Sequence, residues 1–212
     1  MTTAAPGPRE RIRELAAERL ARQLDFLIEI DRLKTVLRRT DISDGSRLEN
    51  SAEHSWHIAV MALLLGEYAG EGIDVPRVLE MLLVHDIVEV DAGDTFCYDV
   101  AANCDREERE RAAAERLFGL LPPDQGDRLR ARWDEFEARE TREARFAAAL
   151  DRLEPVLLNY VTAGGSWRRH AVEEEQVRKR NRPIGDGAAE LWELASRLIG
   201  DAAERGWLGG KP

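Results

Sequence analysis

Helical periodicity extends through almost the whole chain, and this feature most restricts its fold. Segments rich in Ala, Leu, Glu and Arg recur along the sequence, whereas alternating β-branched stretches bounded by turns are nearly absent. Because these residues are strong helix formers and a half-buried strand needs a period of two, the pattern predicts an all-α fold. It also predicts one long helix over residues 9–37, with Leu20 and Leu27 on its apolar stripe, and a loop over residues 38–49.

The length and composition fit a globular domain. The 212 residues are enough for one substantial core, and we expect a single domain over residues 1–212, with its core at about 24–200 and partly flexible ends. The net charge of -10 disfavours a binder of nucleic acid polymers or anionic membranes, because such proteins recruit phosphates with surplus Lys and Arg. We expect no membrane span, since no stretch of about 18 apolar residues occurs.

Two cysteines bear on the compartment in which the protein works. Cys97 and Cys104 are separated by six residues and form no CxxC motif. This spacing predicts neither a disulfide framework nor a thiolate zinc site. The amino-terminal segment also lacks the apolar region of a secretory signal. These observations favour a reducing, cytoplasmic location.

The segment VLEMLLVHDIVEV places charged residues in an otherwise apolar helix. His85, Asp86 and Glu89 fall within it, so they are expected to be buried and to need polar partners. With 3.6 residues per turn the three share one stripe and can converge on one point. An adjacent imidazole and carboxylate are a mixed nitrogen and oxygen ligand pair, suited to Mn, Co, Ni, Fe, Zn or Mg.

Two other predicted helices each add a buried ligand of the same kind. The pair Asn50 and Glu53 resembles a capping box that starts a helix, and His54 lies on its apolar stripe. Asp151 lies in FAAALDRLEPVLL, the most apolar part of its own helix, where an unpaired carboxylate would be costly. Three helices therefore offer ligands for one cation.

The order of these residues resembles the HD superfamily of metal-dependent phosphohydrolases. His54, the adjacent His85 and Asp86, and then Asp151 follow the pattern H…HD…D. The segments EHSWHIA and HDIVEVDAGD are similar to motifs of bacterial 5'-deoxynucleotidases and related HD-domain hydrolases. The resemblance covers roughly residues 24–200, and it implies an all-α HD-domain helical bundle that is often a dimer.

The resemblance implies that one divalent metal cation is held by four side chains. Carried over by position, the metal ligands are His54, His85, Asp86 and Asp151. His57, one turn beyond His54, is a candidate for a second metal, as in dinuclear relatives. Those relatives carry additional His residues between the HD pair and the last Asp, and this chain has none there.

The resemblance also implies catalytic and substrate-binding residues. Glu89 and Asp94 match the acidic residues that act on the attacking water and the phosphate. Arg39 matches an Arg that contacts phosphate or sugar in the deoxynucleotidases, and Arg47 is a second candidate for phosphate binding. Thr40 stands where those enzymes carry a Trp that helps to select deoxyribose.

The expected reaction is metal-dependent hydrolysis of a phosphate monoester, with nucleoside 5'-monophosphates as substrates and inorganic phosphate as a product. Hydrolysis of a pyrophosphate ester is an alternative, although Val90 stands where guanosine tetraphosphate hydrolases have Asp. A cyclic phosphodiesterase and a non-catalytic module that binds metal or nucleotide are further alternatives. The expected partners are a small phosphorylated substrate and a second copy of the chain, with no nucleic acid polymer and no membrane.

Overall fold

The computed structural model describes residues 7–99 and 103–209, and within these ranges it is mainly helical. The α-helices are α1 (Pro8–Leu15), α2 (Glu18–Ile30), α3 (Ser51–Leu65), α4 (Val75–Val84), α5 (Glu89–Ala92), α6 (Arg106–Phe118), α7 (Pro123–Ala138), α8 (Arg142–Val161), α9 (Gly165–Arg169), α10 (Glu174–Asn181), α11 (Ile184–Gly187) and α12 (Ala189–Glu204). Three 3₁₀ segments cover Asp31–Thr35, Gly66–Ala69 and His85–Val88. The prediction of an all-α fold is confirmed. Parts of the ends that were expected to be flexible lie outside the described residues.

The single long helix predicted over residues 9–37 is wrong. The backbone is extended at Ala16 and Ala17, so α1 and α2 are separate helices. Arg13 Nε on α1 donates to Asp25 Oδ2 on α2 at 2.6 Å, which holds α1 against α2. Leu20 and Leu27, expected on the buried stripe, are 48% and 56% exposed, because Ala21 and Phe26 face the core instead. The helical period in the sequence does not decide which face of α2 is buried. It also does not show contacts between helices such as that of Arg13 with Asp25.

The loop predicted over residues 38–49 is a β-hairpin. Strands β1 (Leu37–Asp41) and β2 (Leu48–Asn50) are antiparallel and pair Leu37 with Asn50 and Asp41 with Leu48. The turn between them contains Gly45 at φ 70°, a left-handed conformation that glycine adopts without steric cost. Five residues of strand are too few to show a period of two in a sequence. The hairpin carries Arg38 toward the centre of the helical bundle.

Helix α8 is the centre of the larger core. The Thr141 side chain caps its first turn by accepting from the Ala144 backbone N–H at 3.1 Å, as predicted. Its side chains Phe146 and Leu150 are fully buried between α3, α4, α7, α11 and α12. Helix α11 packs closely against α8 because Gly187 has no side chain. A Cβ at this position would lie 2.3 Å from the Arg145 carbonyl oxygen of α8.

A second apolar cluster lies beneath the HD segment. Phe26 of α2 and Leu33 of the following 3₁₀ segment pack there with Val84 of α4, Leu117 of α6 and Trp133 of α7. This cluster buries the side of the His85–Val88 segment that faces away from α8. The two clusters therefore hold that segment from both sides. None of the helices in the described residues combines the length and apolar character needed to cross a bilayer.

Candidate metal centre

Helix α3 presents its first buried turn to α8. Asn50 Oδ1 accepts from the Glu53 backbone N–H at 3.0 Å, and a Glu53 carboxylate oxygen accepts from the Asn50 N–H at 3.2 Å. This is the predicted capping box, which satisfies donors that a helix start leaves unpaired. His54 follows directly and is fully buried. The start of α3 is therefore fixed, and His54 with it.

The HD segment is a 3₁₀ turn and not a continuation of α4. Helix α4 ends at Val84, and His85–Val88 forms a 3₁₀ helix before α5. A 3₁₀ helix has three residues per turn, so Asp86 and Glu89 project in the same direction. In the α-helix predicted from the sequence, these two side chains would be less closely aligned. The His85 Nδ1 atom lies 2.9 Å from the Leu82 carbonyl oxygen, which can only accept. Nδ1 therefore carries the proton, and Nε2 is left as a metal-binding lone pair.

Three of the four predicted metal ligands form one largely buried cluster. His54 Nε2 lies 3.1 Å from Asp151 Oδ1, and His85 Nε2 lies 3.8 Å from the same oxygen. The three candidate ligand atoms lie within 4.8 Å of one another, close enough to hold a metal ion. Asp86 is next to this group, with its Oδ1 3.0 Å from His85 Nε2. The helices α3 and α8 and the 3₁₀ turn thus bring together all four.

The electrostatics of the cluster favour a cation. Burial opposes protonation of His54, yet the carboxylates of Glu154 and Asp151 raise its pKa well above the usual value. Burial would raise the pKa of Asp151, but the neighbouring imidazoles of His54 and His85 hold it well below its usual range. The buried His85 Nε2 has no hydrogen-bond partner among the described residues. Positive charge is therefore favoured between these side chains, and a divalent cation fits that requirement and the lone pair of His85.

Arg38, from β1, is the arginine that contacts the cluster. Its Nη1 donates to Asp86 Oδ2 at 3.1 Å, and its Nε lies 3.5 Å from Glu49 Oε2. Burial would lower the pKa of Arg38, but the surrounding carboxylates, led by Asp86, raise it, so the guanidinium remains charged. Sequence reasoning selected Arg39 and Arg47 instead of this residue. Arg39 is exposed and lines the adjacent cavity.

Arg47 is not brought to the cavity. Its two terminal nitrogens bind the two carboxylate oxygens of Glu53 at 2.7 Å each, on the outer side of α3. About half of the Arg47 side chain is exposed, and it does not line the cavity beside the cluster. In this structure Arg47 supports the start of α3 through Glu53, and its contact with phosphate stays a prediction.

Glu89 and Asp94 face the cavity beside the metal cluster. Ser51 Oγ donates to Glu89 Oε2 at 2.6 Å, so one carboxylate oxygen is held by the first residue of α3. Burial, followed by the charge of Asp86, raises the pKa of Glu89 well above the usual value. Burial likewise raises the pKa of Asp94, although Arg38 opposes this. Both carboxyl groups therefore hold a proton more readily than exposed ones do.

An outer layer of buried carboxylates supports His54. Glu154 Oε2 lies 3.3 Å from His54 Nδ1, and Glu154 Oε1 lies 3.0 Å from His57 Nδ1. Glu49 Oε2 lies 3.6 Å from the same His54 atom. A carboxylate on the far nitrogen of a metal-binding imidazole fixes its tautomer and ring orientation. His57 thus contacts Glu154 and lies outside the cluster formed with Asp151.

Sequence reasoning missed this outer layer for two different reasons. Glu154 could have been found, because it lies one turn after Asp151 in the same apolar stretch, where a carboxylate needs a partner. Glu49 and Ser51 gave no such signal, because most of the residues around them in the chain are polar. Their contacts depend on the β-hairpin and on the packing of α3 against the HD segment.

Comparisons with known proteins identify relatives of this chain. A family model described as HD domain matches residues 30–192, which include every predicted metal ligand. The 5'-deoxynucleotidase HDDC2 of Bos taurus is 32% identical over 135 residues, or 63% of this chain and 64% of that protein. The 5'-deoxynucleotidase HDDC2 of Xenopus laevis is 30% identical over 158 residues, or 74% of this chain and 71% of that protein. The matched region thus spans just under two thirds of the bovine relative's length.

A solved structure resembles the whole fold. The crystal structure of a predicted metal-dependent phosphohydrolase from Magnetospirillum magnetotacticum MS-1 superimposes with a TM-score of 0.86. The two sequences are 56% identical, and the superposition covers 91% of this chain and 96% of the other. The helical arrangement around the HD segment is therefore shared with a solved relative.

Proposed function

We propose, since this chain belongs to the HD-domain family, that it is a metal-dependent phosphohydrolase that releases inorganic phosphate from small phosphate monoesters. The observation that carries the proposal is the convergence of His54 Nε2, His85 Nε2 and Asp151 Oδ1 in one largely buried cluster beside a cavity. The names of the curated relatives support nucleoside 5'-monophosphates, deoxyribonucleotides among them, as the substrates.

His54, His85, Asp86 and Asp151 would hold one divalent cation. When bound, such a cation supplies a Lewis acid that polarises a phosphoryl oxygen and lowers the pKa of a water. The hydrogen bond of His85 Nδ1 to the Leu82 carbonyl oxygen keeps Nε2 available for this role. Mixed nitrogen and oxygen ligands accept Mn, Co, Ni, Fe, Zn or Mg, so the donor set allows any of them.

Glu89 and Asp94 would move the protons of the reaction. Glu89 has one oxygen held by Ser51, which leaves the other free to orient the attacking water and accept its proton. A raised pKa suits this base, because a proton acceptor works best when its pKa approaches the working pH. Asp94, whose pKa is also raised, would donate a proton to the leaving oxygen of the ester. Two carboxyl groups in one cavity thus take the two complementary roles.

Arginines would offset the charge of the phosphate. Arg38 already contacts Asp86 and remains charged although it is largely buried, so it is positioned to bind a phosphoryl oxygen near the cation. Arg39, on the rim of the same cavity, is the second candidate. We keep Arg47 as a third candidate, although both of its terminal nitrogens bind Glu53.

The test of this function is phosphate release from a panel of esters with Mn²⁺, Co²⁺ and Mg²⁺ added separately. The panel holds ribo- and deoxyribonucleoside 5'-monophosphates, a cyclic nucleotide and a pyrophosphate ester. Metal-dependent release from the 5'-monophosphates is expected to exceed release from the cyclic and pyrophosphate substrates. No release from any ester by protein that binds metal would favour a non-catalytic metal-binding module and overturn the proposal.

We also propose that residues 1–212 act as one domain and that the protein works in the cytoplasm as a homodimer. The exposed apolar residues of α3, which include Trp56, Leu63 and Leu64, support a surface that is covered in solution. Light scattering of the purified protein tests the oligomeric state, and a monomer at micromolar concentration would contradict the dimer.

A further inference from the structure

Helices α8 and α10 bring two arginines to the cavity beside the metal cluster. Arg152 follows Asp151 on α8, and Arg180 lies in the last turn of α10; both line the cavity. Arg152 is only 4% exposed, yet no carboxylate among the described residues lies within ion-pair distance of it. A buried guanidinium therefore lines the same cavity as a second positive charge and forms no ion pair with a carboxylate of the described residues.

The hydrogen bonds of Arg152 explain where its side chain lies, but they do not explain why Arg180 lines the same cavity. Its Nε donates to the Arg180 carbonyl oxygen at 3.2 Å, and its Nη1 donates to the Ala148 carbonyl oxygen at 3.1 Å. The first contact satisfies a carbonyl group at the carboxyl end of α10, where a helix carries partial negative charge. These two bonds hold the guanidinium in place and leave other N–H groups available. They do not account for the side chain of Arg180.

Arg180 is half-buried, and within residues 7–99 and 103–209 its guanidinium has no hydrogen bond or ion pair. Two other arginines that line this cavity do have carboxylate partners. Arg106 Nε donates to Glu110 at 2.6 Å, and Arg38 contacts Asp86 and Glu49. The neighbours of Arg180 in the cavity include Asn181 and Tyr98, which are polar but uncharged at neutral pH. The positive charge of Arg152 and Arg180 is thus left for a ligand to neutralise.

This pair is separate from the groups that would hold the reacting phosphate. Successive residues of an α-helix point about 100° apart, so Asp151 and Arg152 leave α8 in different directions. Asp151 reaches His54, whereas Arg152 reaches the end of α10. A ligand that spans both directions would place one anionic group at the metal cluster and a second at the arginines.

We propose that Arg152 and Arg180 form a second anion-binding subsite, and that the preferred substrate is a phosphate monoester that carries another anionic group. The inference rests on the proposed phosphohydrolase function and extends it to the class of substrate. A second phosphate or a carboxylate would be recognised by the same chemistry, because both offer paired oxygens to guanidinium N–H groups. Because the overall charge of the chain is -10, a local positive site would favour the binding of an anion of higher charge.

The experiment compares two pairs of probes on the parent protein and two variants. The probes are 2'-deoxyadenosine 5'-monophosphate and 2'-deoxyadenosine 3',5'-bisphosphate, and an aliphatic phosphate ester with and without a carboxylate forms a second pair. The variant is Arg180→Met, and the matched control is Arg182→Met, an exposed arginine two residues further along that does not line the cavity. Phosphate release gives kcat/KM for each ester, and calorimetric titration gives the affinity for each nucleotide.

We expect the parent to favour the more highly charged member of at least one pair. The ratio compared is kcat/KM for the more highly charged member divided by kcat/KM for the other member. In Arg180→Met this ratio should fall roughly 10-fold or more, as expected for loss of a charge-assisted hydrogen bond. Arg182→Met should keep the parental ratio. Whichever pair shows the effect identifies the second anion as phosphate or carboxylate.

Two results would overturn the subsite. An equal loss on both members of a pair would mean that Arg180 binds the reacting phosphate, and an unchanged ratio would mean that it binds neither group. If the parent releases no phosphate from any ester, the proposed function fails, and the calorimetric affinities then decide the subsite by themselves. Arg152→Lys, which keeps the buried charge, repeats the comparison at the second arginine.

Discussion

Glu154 Oε2 lies 3.3 Å from Nδ1 of His54, and both side chains are fully buried. The other oxygen of Glu154 contacts His57, whose side chain is 40% exposed. The carboxylate therefore links the proposed metal ligand to the protein surface. If the His54 ring rotated, Glu154 Oε2 would lose its imidazole contact while still buried, which would be costly.

Glu154→Gln should lower the affinity for Mn²⁺ or Zn²⁺ by about 10- to 100-fold, because the partner that orients His54 and raises its basicity is weakened. Titration calorimetry with the metal alone measures this. His57→Gln is the control, since it removes the outer contact and keeps the one to His54. An affinity for Glu154→Gln within twofold of the parent's would show that this carboxylate does not position the ligand.

Asp86→Ala should remove most of the thermal stabilisation that metal gives the parent. A ligand that binds only the folded state stabilises it by mass action, so weaker metal binding means a smaller rise in Tm. Differential scanning calorimetry with and without Mn²⁺ separates this effect from any change in the metal-free protein. Asp134→Ala, which changes an exposed carboxylate on α7, should keep the parental rise. The same rise in Asp86→Ala would exclude Asp86 as a ligand.

Glu89→Gln should lower kcat by about 100-fold or more while metal content stays near that of the parent. Gln keeps the size and the hydrogen bond from Ser51 but cannot accept a proton, and general base catalysis commonly contributes this much. Elemental analysis of the purified variant accompanies kcat on the best ester. Near-normal turnover per bound metal would remove Glu89 from the mechanism and leave Asp94 as the candidate base.

Arg38 and Arg47 should respond differently to the same substitution. Arg38→Lys keeps the charge but loses the planar fork that spans Asp86 and Glu49, so kcat/KM should fall roughly 10-fold. Arg47→Lys should change kcat/KM by less than about twofold, since exposed ion pairs such as that with Glu53 contribute little. A larger loss in Arg47→Lys than in Arg38→Lys would restore the original assignment of Arg47 to the substrate.

Gly187→Ala should destabilise the fold by about 1–3 kcal/mol, because the new methyl group would overlap the Arg145 carbonyl of α8 at 2.3 Å. Gly185→Ala is the matched control on the same short helix, where the nearest atom lies at 3.4 Å. That change should be neutral or stabilising, since Ala loses less conformational entropy on folding. Urea denaturation of both variants measures the difference, and equal midpoints would contradict the close approach of α11 to α8.

The sequence by itself determined the fold class and some of the charged residues that are buried. Apolar residues at helical spacing indicate helices because burial of one face follows the local period, and this information is carried by near neighbours. His85, Asp86 and Asp151 stood out for the same reason, as charged groups in apolar surroundings. The capping residues Asn50 and Thr141 were readable because a cap acts within three residues.

Only the tertiary structure decided which partners those buried groups have. Arg38 contacts Asp86 across 48 positions of sequence, and His54 meets both Asp151 and Glu154 across about 100. No local period encodes such pairs, because they depend on how α3 packs against α8 and on the hairpin that turns Arg38 inward. Arg38 and Arg47 therefore look equivalent in the sequence. Their roles differ only because packing brings Arg38 to the buried Asp86, whereas Arg47 remains at the surface.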